Sequence, residues 1–476
     1  MSCFIIRRMG LALFLVLPLL SPLHAAEAID LAPRVEPRSL ARVTIELEVG
    51  GDALVRAEST ADGTPGEEQR LPISVAAKIR YDERRLAAAN ITAAADSART
   101  PLALRYYDQA EAVIKVDQSG VAPKLSDAHR LIVVENAPRR PILISAGGPM
   151  QREQLDLIDV VGSSTIIHRL LPPKPTAEGG TWPQESDTMA ALLALDSVAV
   201  CEVQTVLEEF NPQFAKIRLA GVVHGMADGA ATEHEVRGVF LFDRRLRQVM
   251  RLNMAVRETR SIGGATPGLD AVAKFQMKLE PLTTSPHLTD AAVASLSRAG
   301  QPPVRTLVLE ASELGFRAEH DRQWFVTSEQ RETVTLRRVD QGDLVAQCAI
   351  TSLPPKSAGR QTSLEQFQKD ITFALGKNFG QVVASRQWNN EIGLHCYEVI
   401  VRGQVEGLPV EWHYYLVAPD SGHRISVAVT AEGSMVDRLG QADRMLVNAI
   451  ELFTPQKPPI PTAARPASPP STAGTR

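Results

Sequence analysis

Few residues in this sequence have the type and spacing to do chemistry, and the best placed flank a turn. His224 and His234 lie on either side of Ala227-Asp-Gly-Ala230, a hairpin signal, and Glu233 stands beside the second histidine. If the turn takes three residues, Asp228-Gly-Ala230, the two histidines become cross-strand neighbours and with Glu233 form a candidate metal site. If it takes two, His224 instead faces Glu233 and both histidines read as exposed hairpin residues. Glu233-His-Glu235 also lacks the second histidine of a His-Glu-x-x-His helix.

A second group, His395, His413 and His423, falls in one run of strands near the C-terminus. His413 lies on the face opposite Trp412 and Tyr414, and no Cys, Asp or Ser stands at a spacing that would make it a catalytic base, so exposed sheet surface is the plainer reading. Core packing accounts for Trp412 and Tyr414, which leaves Tyr415, with His413, as the candidate ligand surface. Asp156 and Asp159 sit three apart on a helix-period stretch, a spacing open to acid–base work or a cation, or simply to a solvated helix face. No Gly-x-Ser-x-Gly, Walker A, Rossmann glycine motif or Cys-x-x-Cys occurs, so the sequence assigns no catalytic residue and no cofactor.

The elements that must position these residues divide the chain. Val43-Thr-Ile-Glu-Leu-Glu-Val49 alternates strictly, and Ile73, Val75, Ala77, Ile79 and Tyr81 alternate again, giving two long strands. Further strands are expected over 103–116, 131–134, 142–144, 203–207, 214–224, 235–242, 249–256 and 275–279. Helix-period segments interrupt them at 151–161 and 189–195. Tyr81-Asp-Glu-Arg-Arg-Leu86 and Phe242-Asp-Arg-Arg-Leu246 each read as an aromatic strand end followed by a charged turn, a hint of internal duplication. The pattern predicts a β-rich antiparallel domain over 41–281 after a lead-in at 29–40, then a Thr/Ser/Pro-rich linker over 282–304.

Residues 305–453 read as an α+β sandwich. Thr362 and Glu365 form a candidate capping box for a helix whose stripe is Leu364, Phe367, Ile371, Ala374 and Leu375. Three alternating runs follow, Cys396–Arg402, Val410–Val417 and Arg424–Thr430, separated by short turn clusters, and a last helix is expected over 434–450. In its early Trp324, the 362–375 helix, Trp412-His-Tyr-Tyr-Leu416, Gly422-His-Arg-Ile-Ser-Val427 and the close on Glu451-Leu-Phe453, this region resembles the PsbP-like fold. That resemblance implies an α/β/α sandwich and a non-enzymatic accessory or binding module. The N-terminal region resembles the long-stranded antiparallel half-barrels of bacterial envelope proteins. No site residue carries over from either likeness.

Arg7 and Arg8, the apolar run Leu11–Leu20 and the small residues of His24-Ala-Ala-Glu-Ala28, which offer cleavage after Ala25 or Ala28, read as a signal peptide over 1–28, its apolar run too short to span a membrane. The mature chain is therefore expected to be periplasmic or extracellular, without a transmembrane span. Cys348 and Cys396 both fall on strands of one domain, so a disulfide between them is conceivable in an oxidising compartment; Cys201 reads as core. The 51 Lys and Arg stand against 55 Asp and Glu with no basic cluster apart from its neighbours, which argues against nucleic acid as a partner. The sequon Asn90-Ile-Thr92 matters only where the source glycosylates, and the Pro-rich 454–476 reads as a disordered tail.

Together these readings favour an exported, non-catalytic binding or scaffolding protein of the cell envelope, with an envelope protein as partner. A carrier of an apolar ligand in the N-terminal sheet is the alternative, and a hydrolase or metalloenzyme comes third. A dry Leu/Val-lined groove in 40–280 would favour the carrier, a filled sheet interior the scaffold, and converging histidines and carboxylates the enzyme.

Overall fold

The structure, a computed structural model, describes residues 27–34, 36–56, 66–86, 101–137, 140–264, 266–298 and 305–455. Nearly all of the expected signal peptide, the sequon, the end of the linker and most of the Pro-rich tail lie outside the described residues. Among those described, no helix is long and apolar enough to cross a membrane.

The alternating segments become one thirteen-stranded antiparallel sheet. Its centre is Leu40–Arg56, paired on one side with Glu68–Arg85 and on the other with Gly268–Leu282, so the first long strand of the region lies beside its last. Pro101–Val116, Leu131–Glu135 and Ile142–Ser145 extend the first side, while Gln248–Arg260, Ala230–Asp243, Phe214–Ala227, Gln204–Phe210 and Thr181–Pro183 extend the second. Asp228 and Gly229 form the two-residue turn with φ of +47° and +77°, the left-handed pair that a right-twisted hairpin requires.

One face of the sheet is closed by the segment that follows Ile142–Ser145. Helix α1 (Arg152–Ile158), a 3₁₀ turn at Ile167–Leu170 and helix α2 (Ser186–Leu193) set Leu155, Ile158, Ile166, Leu170, Met189 and Leu192 in one core with Ile45, Ile79, Leu219, Phe240, Leu252 and Phe275 of the strands. The sheet interior is thus filled by the chain itself. The charged run after Tyr81, expected as a turn, instead continues the strand to Arg85 and pairs with Ala103–Tyr107. Glu83 is consequently buried, 2.8 Å from Arg105 Nε, and Ser164 Oγ donates to it at 2.6 Å. Burial pushes the Glu83 carboxyl up, but Arg85, Arg105 and Ser164 outweigh it and hold the group below its ordinary range.

Residues 307–452 are an α+β sandwich in three layers. The middle is a seven-stranded antiparallel sheet in the order Trp324–Glu329, Thr333–Asp340, Asp343–Lys356, Gly422–Glu432, Leu408–Ala418, His395–Val405, Phe379–Asn389. Helix α4 (Leu364–Leu375) covers one face through Leu364, Phe367, Ile371 and Leu375 against Trp412, Val399 and Val401. Its cap is Ser363, whose hydroxyl accepts from Gln366 N, rather than Thr362; Glu365 pairs with Lys369 instead. The other face carries a small sheet (Leu307–Ala311, Phe316–His320, Ile450–Leu452) and the C-terminal helices. The single helix expected over 434–450 is broken: α5 (Val436–Leu439) stops at Gly440, φ +58° and ψ −112°, and α6 (Ala442–Asn448) restarts after it. Cys348 and Cys396 are both free and buried, on strands separated by two others, and Cys201 is free and half-buried.

The connection between the regions is docked. After Leu282, Ser285 Oγ donates to Asp82, His287 stacks on Tyr106 with ring centroids 3.7 Å apart, and Leu288 is buried against Leu104 and Val133. Helix α3 (Asp290–Arg298) follows. Leu307 then enters the core of the N-terminal region and Val308 N donates to Met150 O.

Candidate functional site

The turn between Phe214–Ala227 and Ala230–Asp243 separates the candidate metal ligands. Register pairs His224 with Glu233 and Val223 with His234, so the two histidines point to opposite faces. His224 Nδ1 lies 3.6 Å from Glu233 on the exposed face, while His234 is buried with Nε2 3.5 Å from Glu258. The two-residue turn thus removes the two-histidine site, and no group of three or more His, Cys, Asp or Glu side chains that could hold a metal occurs among the described residues.

His413 and Tyr415 were expected on an exposed sheet surface and are instead buried, because α6 covers their face. His413 Nδ1 bonds Asp443 and its Nε2 lies 2.9 Å from Glu411 Oε1. Tyr415 donates its hydroxyl to Asp443 at 2.5 Å, with Glu398 3.2 Å from the same oxygen. Arg444 grips both oxygens of Glu398 at 2.7 Å, and Arg402 sits 2.5 Å from Glu411. Burial works against a charged imidazole, but the bonds to Asp443 and Glu411 dominate and raise its pKa above the usual value. Histidine and carboxylates do converge here, the arrangement that would favour an enzyme. Both ring nitrogens are engaged, however, and Glu411, His413 and Asp443 are each almost fully enclosed. Of the other meander histidines, His395 is exposed and paired with Asp420 at 2.7 Å.

The accessible concavity lies where the two regions meet, a cleft of about 440 Å³. Asp156 of α1 and Asp159 just after the helix form one wall with Arg140 and Arg152; the turn at Asp228-Gly229 contributes a second; Arg322, Phe325 and the turn at Asp340-Gln341-Gly342 supply the third. Several charges there are paired: Arg140 with Asp159 at 3.3 Å, Arg260 with Asp228 at 3.4 Å, and Arg438 with Asp340 at 3.1 Å. Asp196 accepts from Gly229 N at 3.2 Å. Two guanidinium groups differ. Arg152 donates to the carbonyls of Arg322 (2.5 Å) and Trp324 (3.3 Å) and lies over the Phe325 ring at 4.5 Å. Arg322 donates to the carbonyls of Arg305 (3.1 Å) and Leu143 (2.6 Å). Burial, aided by the neighbouring Arg152, Arg140 and Arg305 against the pull of Asp159, lowers the Arg322 pKa to about 10. Asp156 titrates high for the mirror-image reasons, desolvation first and then Asp228, Asp159 and Glu153, opposed by Arg152.

Sequence reasoning raised Asp156 and Asp159 but not the arginines they face. Arg322 enters the cleft from far along the chain, and the only local signal was the position of Arg322-Gln323 in a turn beside an aromatic pair, Trp324-Phe325.

No protein-family model and no curated protein matches the chain. Among solved structures it is similar to the cyanobacterial PsbP of Synechocystis sp. PCC 6803, at 10% identity over 32% of this chain and 96% of that one, with a TM-score of 0.26. A protein of Bacteroides thetaiotaomicron matches at 9% identity and a TM-score of 0.25 over 32% of this chain, which spans about half (50%) of the length of that protein. The outer membrane protein OprD of Pseudomonas aeruginosa matches at 9% identity over 85% of this chain and 96% of that one, with a TM-score of 0.11. At these identities and scores no role passes from any of them to this chain.

Proposed function

We propose that the protein is a non-catalytic binding or scaffolding protein exported to the cell envelope. The observation that carries this reading is the filled interior of the large sheet: α1, the 3₁₀ turn and α2 occupy the face where an apolar cargo would lie. That argues against the carrier. The buried His413 cluster argues against the enzyme, since its nitrogens and carboxylates are spent on one another and on Arg402 and Arg444. What the surface offers a partner is the charged cleft, whose walls come from both regions.

Native mass spectrometry of protein purified from its own cells tests this. The expected result is a chain cleaved after Ala25 or Ala28, free of lipid and metal and associated with an envelope component. One equivalent of bound lipid would put the carrier first, and one equivalent of metal the enzyme.

A further inference from the structure

We infer that the cleft between the two regions is a binding site for a small organic zwitterion, one carrying an anionic carboxylate or phosphate and an ammonium group. The anion falls to Arg152 and Arg322. Among the described residues neither has a carboxylate partner; their bonds go only to neutral backbone carbonyls, and Nη1 of each donates to nothing. A guanidinium taken out of water and given only neutral acceptors lacks the charge that would offset its desolvation. The free Nη1 of each can donate to one oxygen of a carboxylate or phosphate, so the two arginines together take its two oxygens. Phe325 beneath Arg152 fixes the plane of that guanidinium.

The ammonium falls to Asp156. It lines the same cleft and has no hydrogen-bond or ion-pair partner among the described residues, although Arg152, one turn back on α1, is near enough to be felt electrostatically. Arg152 is committed to the carbonyls of Arg322 and Trp324 and so does not close onto Asp156. The other cleft carboxylates are already engaged, Asp159 with Arg140, Asp228 with Arg260 and Asp340 with Arg438. Arginine charge without a counter-ion and a carboxyl without a cation in one cavity are satisfied together by a ligand that carries both charges, its ammonium drawing Asp156 into the charged form, whereas an anion alone would leave Asp156 without a cation. A volume of about 440 Å³ admits a molecule the size of a short peptide.

This inference rests on the binding-protein reading, and the test separates the two. Isothermal titration calorimetry on the full chain would use triglycine, inorganic phosphate and ethylammonium chloride as probes. Triglycine should bind at one site, phosphate more weakly, and ethylammonium not measurably. Asp156→Asn should weaken triglycine about tenfold and leave phosphate bound as tightly or more tightly, since a neighbouring negative charge is removed. Arg322→Gln should weaken both. Should Arg322→Gln fail to fold, the exposed Asp156 still decides the matter, because its amide variant removes no contact the fold uses. Absence of any triglycine heat, or triglycine binding no tighter than phosphate and indifferent to Asp156→Asn, overturns the site and leaves the binding-protein reading to the mass spectrometry. Release of glycine from triglycine would support the site and overturn the non-catalytic reading.

Discussion

His413 and Asp443 are joined across two layers, the imidazole Nδ1 on a central strand of the seven-stranded sheet and the carboxylate on α6. With Glu411 at 2.9 Å on the other nitrogen, the ring sits between two carboxylates, which favours its charged form. A raised histidine pKa stabilises the fold fully below the unfolded value of about 6.5, and that contribution is lost as pH rises through the folded pKa. Asp443 is depressed by His413, and Glu411 by Arg402 and then His413, once those outweigh burial, so their contribution is present above about pH 4 and lost as pH falls through their folded values. The destabilisation caused by His413→Gln should therefore be largest between about pH 4 and 6.5 and shrink above it. Thermal melts of both proteins across pH check this; a constant difference would show that the ring is neutral in the fold.

Trp412→Ala should cost about 3–5 kcal/mol, since the indole is 7% exposed and packs under α4 with Ile371, Val399 and Val401. Denaturant unfolding followed by far-ultraviolet circular dichroism measures it. A change within about 0.5 kcal/mol, the surface range, would mean that α4 does not rest on this face.

Arg105→Ala should cost about 3–5 kcal/mol because it takes a charged partner from the buried Glu83 carboxylate, leaving Arg85 at 3.2 Å and the Ser164 hydroxyl at 2.6 Å. The same change removes the bonds from Arg105 to Ser163 and Ser164. Hydrogen exchange over 160–170 should accelerate before the strands loosen, and uniform acceleration would show that the network does not anchor this segment in particular.

The segment 305–455 should fold by itself, because Phe316, Trp324, Leu336, Tyr415, Val427 and Leu446 form a core drawn from its own residues. Its isolated form would expose Leu307 and deprive Arg322 of the Leu143 carbonyl, so a lower melting temperature than in the whole chain is expected. A broad, non-cooperative melt would show that the junction completes the core.

Dialysed protein should carry well under one equivalent of zinc, and a chelator should leave its melting temperature unchanged. The two nearest candidate ligands, His224 and His234, lie on opposite faces of one strand pair, whereas a zinc site needs three or four convergent ligands. Elemental analysis is the check.

The meander at 395–432 and the long strands at 40–56 and 68–85 were legible because a half-buried strand writes its two faces into alternate residues. Burial of both faces blurs that code. His413 and Tyr415 read as surface because nothing local announces that Asp443 will come to cover them. The break at Gly440 was hidden by a helical stripe, Val436, Leu439, Ala442 and Leu446, that continues across it. Least legible was the cleft: Asp156 reads as solvated from its own helix, and the wall it faces arrives from Asp228 and Arg322, remote in sequence.

The pairing of Leu40–Arg56 with Gly268–Leu282 sets an order of events during synthesis. A chain emerging from its N-terminus can zip the hairpin of Leu40–Arg56 with Glu68–Arg85 early, but the opposite edge of Leu40–Arg56 waits, unpaired, until the last strand of the sheet has appeared. During that interval the central strand presents a long row of free amides and carbonyls, a template for pairing with other chains. Closure by the final strand is therefore expected to be the slow, concentration-sensitive step in making this protein.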